Sequence, residues 1–380
     1  MLNKLKTWTS KISLEVRYIL LLFVVTRILL TIIGVSSRIL LKPFLGSYYV
    51  WNYSKSLFLD IWGVWDTGWY LEVANTGYSA LVHSRGPVVG QANYAFFPLY
   101  PLLARLGEKI TGDLFTSGLI VSNIFLLVSC IFFYKLVKLD YSNNTALRSI
   151  KYLFIFPTAF IFSGAFTESL FLALLIMCFY FAKKQQWAYV AIAGLFLALT
   201  RSLGVIAVLP LFYIYLENIN FNIRKIRYDI IFLIGLPLGL LTFMVYNYHL
   251  TGDFLAFAHI QSAWTRDFSN PIYILFKGLL SKDIYELYLA WPTLAALGFL
   301  CVFYKRIGFT YWLLGVYSIF IPLCSGLLSM PRFLLPIFPL YIILASLGKN
   351  KLVDQIFTIV LVLIQGFFFV FWANGFRLIV

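Results

Sequence analysis

The sequence predicts an all-α integral membrane protein that crosses the bilayer many times. Hydrophobic residues make up 61% of its 380 residues and charged residues only 12%, which leaves too little polar surface to cover soluble domains. Apolar runs occur along the whole chain, which excludes a soluble enzyme with one membrane anchor. The net charge of +15 does not indicate nucleic-acid binding, because the basic residues lie mostly between the apolar runs.

Stretches long enough to cross the hydrocarbon core predict about eleven spans, with a range of roughly nine to thirteen. Their limits are 18–41, 117–139, 150–166, 168–183, 187–200, 203–217, 228–248, 284–304, 309–328, 333–347 and 352–373. Several are short, so the segments 150–183 and 187–217 are each also compatible with a hairpin that does not fully cross. We interpret residues 1–380 as a single membrane domain of this polytopic kind.

The distribution of basic residues predicts the orientation. If the N-terminus is cytoplasmic, that side collects most of the lysines and arginines between spans, as the positive-inside rule requires. They include Lys4, Lys6, Lys11, Arg17, Lys135, Lys138, Lys183, Lys184, Arg224, Lys225, Arg227, Lys305 and Arg306. The C-terminus is then non-cytoplasmic, in the plasma membrane of a prokaryote or the endoplasmic reticulum of a eukaryote.

Two long segments, 42–116 and 249–283, fall on the non-cytoplasmic side. Both contain aromatic and charged residues, and the first has too many Trp and Tyr for a solvated coil. We expect interfacial helices in each loop.

Neither a metal site nor a cofactor site is predicted. The three histidines are scattered, and the four cysteines lie in apolar segments without CxxC spacing. No GxGxxG or Walker motif stands in a strand-to-helix context. We therefore expect no cofactor.

The run 61–78 of the first loop, IWGVWDTGWYLEVANTGY, contains the strongest chemical signal. It places Asp66 among aromatic residues just outside the bilayer, with Trp62, Trp65, Trp69 and Tyr70 at helical spacing. Indoles packed around a carboxylate disfavour its charged form, which suits a general base. The alternative is an interfacial aromatic belt in which Asp66 is only a helix N-cap.

Together with AFFPLYP at 95–101, this run resembles the PIG-V-type mannosyltransferases, a family of polytopic GT-C glycosyltransferases that includes GPI mannosyltransferase 2. The family carries WD followed by an (I/V)A-x-x-GY pattern, and then AFFP-x-x-P. Segments 156–171, 200–204, 259–264 and 329–336 are similar to later motifs of the family. Trp69, Ser79 and Leu203 depart from it, because members often have His, an acid and Asn at these positions.

The resemblance implies transfer of a sugar, mannose by analogy, from a polyprenyl- or dolichyl-phosphate donor to a glycolipid or glycan acceptor on the non-cytoplasmic face, with inversion. Asp66 is then the catalytic base, and Arg201 and Arg332 bind the donor phosphate. The other expected substrate contacts are Trp65, Trp69, Tyr70, Glu168, Gln261 and Trp264.

Each of these residues also has a purely structural interpretation. The arginines are compatible with snorkelling to the interface, Glu168 with a helix N-terminal acid, and Trp264 with an amphipathic interfacial helix. Two other functions stay open: a polytopic lipid or solute transporter or flippase, and a non-catalytic scaffold of the same fold. A transporter should show two related halves, and no such repeat is visible.

Overall fold

The computed structural model describes residues 13–45, 51–85 and 88–376, and for 42–45, 83–85 and 88–89 it describes the backbone alone. Lys4, Lys6 and Lys11, used above for the orientation, lie outside the described residues, as do positions 46–50 and 86–87 of the first loop.

The described part of the chain is almost entirely helical, as predicted. In chain order its α-helices are α1 (Leu14–Leu45), α2 (Leu57–Asp60), α3 (Thr67–Thr76), α4 (Leu99–Thr111), α5 (Leu114–Asp140), α6 (Asn143–Ile155), α7 (Glu168–Lys183), α8 (Trp187–Ala198), α9 (Val208–Asn218), α10 (Gly235–Thr251), α11 (Ala256–His259), α12 (Pro271–Leu279), α13 (Ile284–Val302), α14 (Tyr304–Ile307), α15 (Phe309–Leu323), α16 (Met330–Phe333), α17 (Phe338–Leu347) and α18 (Lys351–Ala373). Short 3₁₀ segments lie at Asn93–Ala95, Ala159–Ser163, Ser202–Ala207, Ile223–Lys225, Tyr228–Ile234 and Ile260–Trp264. A two-stranded antiparallel hairpin, β1 (His83–Arg85) and β2 (Val88–Gln91), is a small departure from the all-α prediction.

Five helical segments of the described chain are long and apolar enough to cross a membrane. They are Leu14–Leu41, Leu114–Asp140, Tyr228–Thr251, Ile284–Val302 and Lys351–Ala373. All five coincide with predicted spans, which confirms an integral membrane protein.

Five of the other six predicted spans coincide with shorter helices, whereas 150–166 overlaps only the end of α6 and the 3₁₀ segment Ala159–Ser163. The six helices of this group form three consecutive pairs. The first pair is α6 with α7, the second is α8 with α9, and the third is α15 with α17; the connection within each pair is called its hairpin tip. The tip of the first lies alongside the interior of α5, because Ser122 Oγ donates to the carbonyl of Phe166 at 3.2 Å. The helices α15 and α17 pack against each other, whereas α6 with α7 and α8 with α9 do not form packed hairpins.

All three hairpin tips face the same side, where they meet the two long loops. Backbone hydrogen bonds join Ala165 to Trp62, Leu99 to Leu199, and Ser269 to Cys324. Close packing shapes the second tip, because a Cβ on Gly204 would lie 2.6 Å from the carbonyl oxygen of Leu197. The side chains of three segments that are distant in sequence therefore lie close together on this side of the molecule.

The opposite side of the molecule is held by ion pairs between helix ends. Lys183 pairs with Asp140, and Lys151 pairs with Asp354 at 2.6 Å. Most of the basic residues of the predicted cytoplasmic face lie on this side, away from the long loops.

The first loop contains short helices, as expected, but its aromatic residues do not share one helical face. Residues 61–66 form turns, and α3 begins only at Thr67. Trp62 packs against Phe369, and Trp65 packs against Trp51. The prediction from spacing that the indoles share one helical face was therefore wrong. The α4 helix does have an interfacial character, because Leu102, Leu106 and Ile110 are exposed along one face.

The two arginines of the first span have partners. Arg27 is buried and donates to Ser163 Oγ at 2.6 Å. Arg38 forms an ion pair with Asp60, and its Nε donates to the carbonyl of Ala373. The ion pair ties α1 to the first loop, and the second contact ties α1 to the end of α18.

Candidate functional site

Asp66 occupies the N-cap position of α3, yet its side chain does not cap the helix. The carboxylate instead accepts a hydrogen bond from Arg332 Nη1 through Oδ2. Trp65, just before it, has a φ of 49°, in the left-handed region that non-glycine residues rarely adopt. The backbone is thus turned sharply at the aspartate, and the interpretation of Asp66 as a helix cap is not supported.

The three hairpin tips supply the partners of Asp66. Glu168 is the first residue of α7, Arg201 immediately precedes the 3₁₀ segment of the second tip, and Arg332 lies in α16 at the third tip. Ser329, next to α16, has a φ of 66°, which helps to turn this short helix inward.

A continuous chain of ion pairs connects these residues. Glu168 Oε1 accepts from Arg332 Nε and, at 2.6 Å, from Arg201 Nη1, while Arg332 Nη1 reaches Asp66. Glu168 and Arg332 are buried, whereas the side chain of Asp66 remains 23% exposed. Because buried charges persist only with partners, snorkelling to the interface does not describe Arg332.

Arg266 is a site residue that the sequence did not reveal. Its Nη1 donates to Gln261 Oε1 at 3.2 Å and its Nη2 to Ser329 Oγ at 3.1 Å. Its guanidinium lies 5.5 Å from the ring centre of Phe333, and that of Arg201 lies 5.3 Å from the same ring. In the sequence it was a lone loop arginine beside an aspartate, without a distinguishing pattern.

The cluster of Asp66, Glu168, Arg201, Arg266 and Arg332 therefore has one more guanidinium than carboxylates. Burial lowers the pKa of Arg266 to about 10; Asp66 opposes this shift, and the nearby positive charges of Arg332 and Arg201 add to it. The site carries an excess positive charge that an anionic group would compensate.

Aromatic side chains form one wall of the cluster. Trp69 stacks on Phe96 with ring centres 5.6 Å apart, and Trp264 packs edge-on against both. Tyr70 is buried behind them, and its hydroxyl lies 3.4 Å from Thr167 Oγ1, next to Glu168. Burial raises the pKa of Tyr70, so its hydroxyl stays protonated.

Most of the predicted site residues thus come together, with one exception. Asp66, Glu168, Arg201 and Arg332 are directly linked, while Trp69, Tyr70 and Trp264 form the wall and Gln261 joins through Arg266. Trp65 packs away from this wall, on Trp51.

Polar atoms of the cluster remain available to a ligand. Asp66 Oδ1 makes no hydrogen bond within the described parts of the chain. Among the described residues, Glu168 Oε2 is buried without a partner. Since buried polar atoms are normally satisfied, this oxygen is an acceptor that a hydroxyl donor would satisfy.

A family model described as dolichyl-phosphate-mannose-protein mannosyltransferase matches residues 95–249. The match begins in the first loop at Ala95 and includes the first two hairpin tips with Glu168 and Arg201. The match covers less than half of the chain and supports a membrane glycosyltransferase. No protein of curated function matches the chain.

Two crystal structures of the oligosaccharyltransferase of Archaeoglobus fulgidus are similar to the chain. The complex with Zn and sulfate is 15% identical with a TM-score of 0.46, covering 93% of this chain and 53% of that one. The form tethered by a disulfide bond to an acceptor peptide with the NVT sequon is 12% identical with a TM-score of 0.44, covering 93% and 55%. This chain thus spans about half the length of that enzyme.

Metal-binding side chains are not clustered in the described structure. Within residues 13–45, 51–85 and 88–376, no group of three or more His, Cys, Asp or Glu is placed to hold a metal ion. The two carboxylates at the site are instead bound by arginines.

Proposed function

We propose that this protein transfers a sugar, mannose in the first instance, from a polyprenyl- or dolichyl-phosphate donor to a glycolipid or glycan acceptor. The observation that carries this proposal is the chain of ion pairs joining Asp66 to Arg332, Glu168 and Arg201, with Arg266 beside it. It combines a partly exposed carboxylate with an excess of guanidinium groups. These are the two features that hydroxyl activation and phosphate binding require.

A narrow apolar crevice begins at the cluster, but its volume of about 10 Å³ has room for roughly one water molecule and not for a prenyl chain. Arg201 and Phe333 line its charged end. Its remaining lining comes from α7, α15 and neighbouring segments: Phe171, Leu175, Leu203, Leu314, Tyr317, Ser318 and Pro336. A donor phosphate at the charged end of the crevice would lie against Arg201, within reach of the other arginines.

The proposed reaction is a single displacement. The acceptor hydroxyl attacks the anomeric carbon of the donor while Asp66 Oδ1 takes its proton. The new bond joins acceptor oxygen to anomeric carbon, and the bond from that carbon to the phosphate oxygen breaks. The lipid phosphate departs with the electron pair, and Arg201, Arg266 and Arg332 stabilise its charge. Attack from the opposite face inverts the anomeric configuration.

We further propose that this site faces away from the cytoplasm. The basic residues near Lys183, Arg224 and Arg306 lie on the side opposite to Asp66, which corresponds to a cytoplasmic N-terminus and a non-cytoplasmic C-terminus. A relation to the PIG-V type within the GT-C enzymes also belongs to this proposal. The relation to the PIG-V type rests on the motif around Asp66 and on AFFPLYP at 95–101.

The direct test is a transfer assay with the purified protein in liposomes. Polyprenyl-phosphate mannose is offered to a membrane lipid extract, and labelled product is measured for the wild type and for Asp66→Asn. Product that depends on Asp66 supports the proposal. Absence of product with mannose and with other lipid-linked sugars would favour a transporter or a scaffold instead.

We expect transfer to continue after removal of divalent ions. The leaving group is a phosphate that arginines can stabilise, so a metal is not required by the chemistry. Wild-type rates should agree within about twofold with and without EDTA, which is small beside the effect of one general base. Loss of activity in EDTA, restored by adding Mg²⁺ or Mn²⁺, would contradict metal independence.

Replacing Arg266 by Gln is expected to weaken use of the donor. A hydrogen bond to a charged group contributes roughly 1.5–3 kcal/mol, so the KM for donor should rise by about 10- to 100-fold. Arg201→Gln should act in the same direction. The measurement is the initial rate against donor concentration at a saturating acceptor concentration.

The matched control is Arg105→Gln, which removes an exposed arginine from α4. It should leave the KM for donor unchanged. An unchanged donor KM in both Arg201→Gln and Arg266→Gln would place the phosphate elsewhere.

A further inference from the structure

A second cavity opens on the loop side of the molecule, beyond the arginine cluster. Its volume is about 550 Å³, within the range of roughly 300–1,000 Å³ typical of ligand pockets. Its polar lining consists of Tyr94, Thr251, Asp253, His259 and Ser262. None of these residues belongs to the ion-pair chain at Asp66.

The charged groups of the cavity already satisfy each other. His259 Nδ1 lies 2.6 Å from Asp253 Oδ2, and Asp253 Oδ1 accepts from the backbone N–H of Leu255 at 2.9 Å. A carboxylate engaged in this way is a poor site for a cation, and the pair offers no excess positive charge for a phosphate. The cavity therefore favours a neutral ligand.

Hydroxyl groups complete the lining. Ser262 Oγ donates to the carbonyl of His259, which leaves its lone pairs to accept. Thr251 Oγ1 donates to the carbonyl of Asn247 and accepts from the backbone N–H of Asp253, so it keeps one lone pair. Burial, together with the nearby charge of Asp253, raises the pKa of Tyr94, so that hydroxyl remains a donor. Donors and acceptors side by side, with Ala256 and Ala263 between them, match the hydroxyls and C–H face of a sugar.

One short segment connects this cavity with the arginine cluster. Of the 3₁₀ segment Ile260–Trp264, Ser262 and Ala263 line the cavity. From the same segment, Gln261 binds Arg266, and Trp264 packs on Trp69. A ligand in the cavity would thus be separated from the reacting groups by a single turn of backbone.

We propose that this cavity binds a sugar residue of the acceptor and so positions the acceptor hydroxyl toward Asp66. This inference rests on the proposed transferase function and assigns its acceptor class. Phe254 and Leu255 are exposed next to Asp253, so the sugar can belong to a molecule anchored in the bilayer or to a free glycan. Both sources present the same hydroxyl chemistry.

The test combines binding with kinetics, using α-mannobiose as the free probe and octyl α-mannoside as the membrane-anchored probe. Both are measured on the full-length protein in detergent, with Asp253→Asn and His259→Ala as variants. Asparagine keeps the oxygen that accepts from Leu255 N–H, so the local turn should persist. The affinity for the probe and the KM for acceptor should each weaken by about 10-fold, as expected when hydrogen bonds to one sugar are lost.

The matched control is His249→Ala, which removes an exposed histidine from the same side of the molecule outside the cavity lining. It should leave probe affinity unchanged. Ala263→Trp, which fills the cavity, should block probe binding while the KM for donor stays at its wild-type value. Weakening for both probes assigns the site to the sugar itself, and weakening for the octyl mannoside alone assigns it to a glycolipid.

Two results would overturn the inference. One is a wild-type protein that binds neither probe. The other is a set of cavity variants with wild-type acceptor KM and probe affinity, although Asp66→Asn has lost transfer. Failure of the transferase proposal looks different, because the wild type would then form no product with any lipid-linked sugar, whatever the cavity variants do.

Discussion

Replacing Asp66 by Asn is expected to lower kcat for sugar transfer by about 10²- to 10⁴-fold, the usual contribution of a general base. The amide oxygen can still accept the hydrogen bond from Arg332, so the ion-pair chain loses a charge but not its geometry. The amide cannot take the proton of the acceptor hydroxyl. Donor affinity should therefore be retained while turnover falls, as measured with labelled donor in single-turnover experiments.

Asp267→Asn is the matched control, because Asp267 is an exposed acid of the second long loop close in sequence to Arg266. It should leave kcat unchanged. If Asp66→Asn instead kept the wild-type rate of transfer, the general base would have to be another residue.

Replacing Glu168 by Gln is expected to destabilise the protein as well as inactivate it. Glu168 is fully buried and is the shared acceptor of Arg201 and Arg332, so the change leaves two arginines facing only Asp66. Removing one member of a buried ion pair typically costs about 3–5 kcal/mol. The free energy of unfolding, measured in mixed micelles of detergent and SDS, should fall by about that amount.

Glu108→Gln, on the partly exposed surface of α4, provides the comparison for Glu168 and should change stability by less than about 0.5 kcal/mol. Equal stability of Glu168→Gln and wild type would show that the three hairpin tips do not depend on this carboxylate. Its role would then be confined to substrate binding.

These two predictions differ because the two carboxylates occupy different environments. Asp66 is partly exposed at the start of a loop helix, where an unpaired oxygen faces outward. Glu168 lies at a recessed hairpin tip with no access to water, and the aromatic ring of Phe166 covers its partner Arg332. The first position suits proton transfer, and the second suits holding cations in a fixed arrangement.

The candidate site was partly predictable because its motifs contain unusual residues at close spacing. Asp66 between tryptophans, and Arg332 beside prolines at the start of an apolar run, are rare where charge is costly. Arg266 gave no such signal, since charged residues are common in loops. Its role follows from contacts with Gln261 and Ser329, which sequence spacing does not indicate.

Local periodicity also failed at the aromatic run. Trp62, Trp65 and Trp69 recur at helical spacing, yet the chain turns between residues 61 and 66, so the indoles point to different partners. Packing against Phe369, which is distant in sequence, decided the outcome for Trp62. The prediction from spacing was wrong because periodicity describes a helix only where the backbone is helical.

The sequence by itself determined that this is a polytopic helical membrane protein and where its long apolar helices lie. Hydrophobic composition and helix length are local properties, and the bilayer imposes them directly. Only the tertiary structure decided that the connections within three pairs of short helices converge at one site. Asp66 and Arg332 are 266 residues apart along the chain, and the packing of those tips, rather than any local pattern, brings their charges into contact.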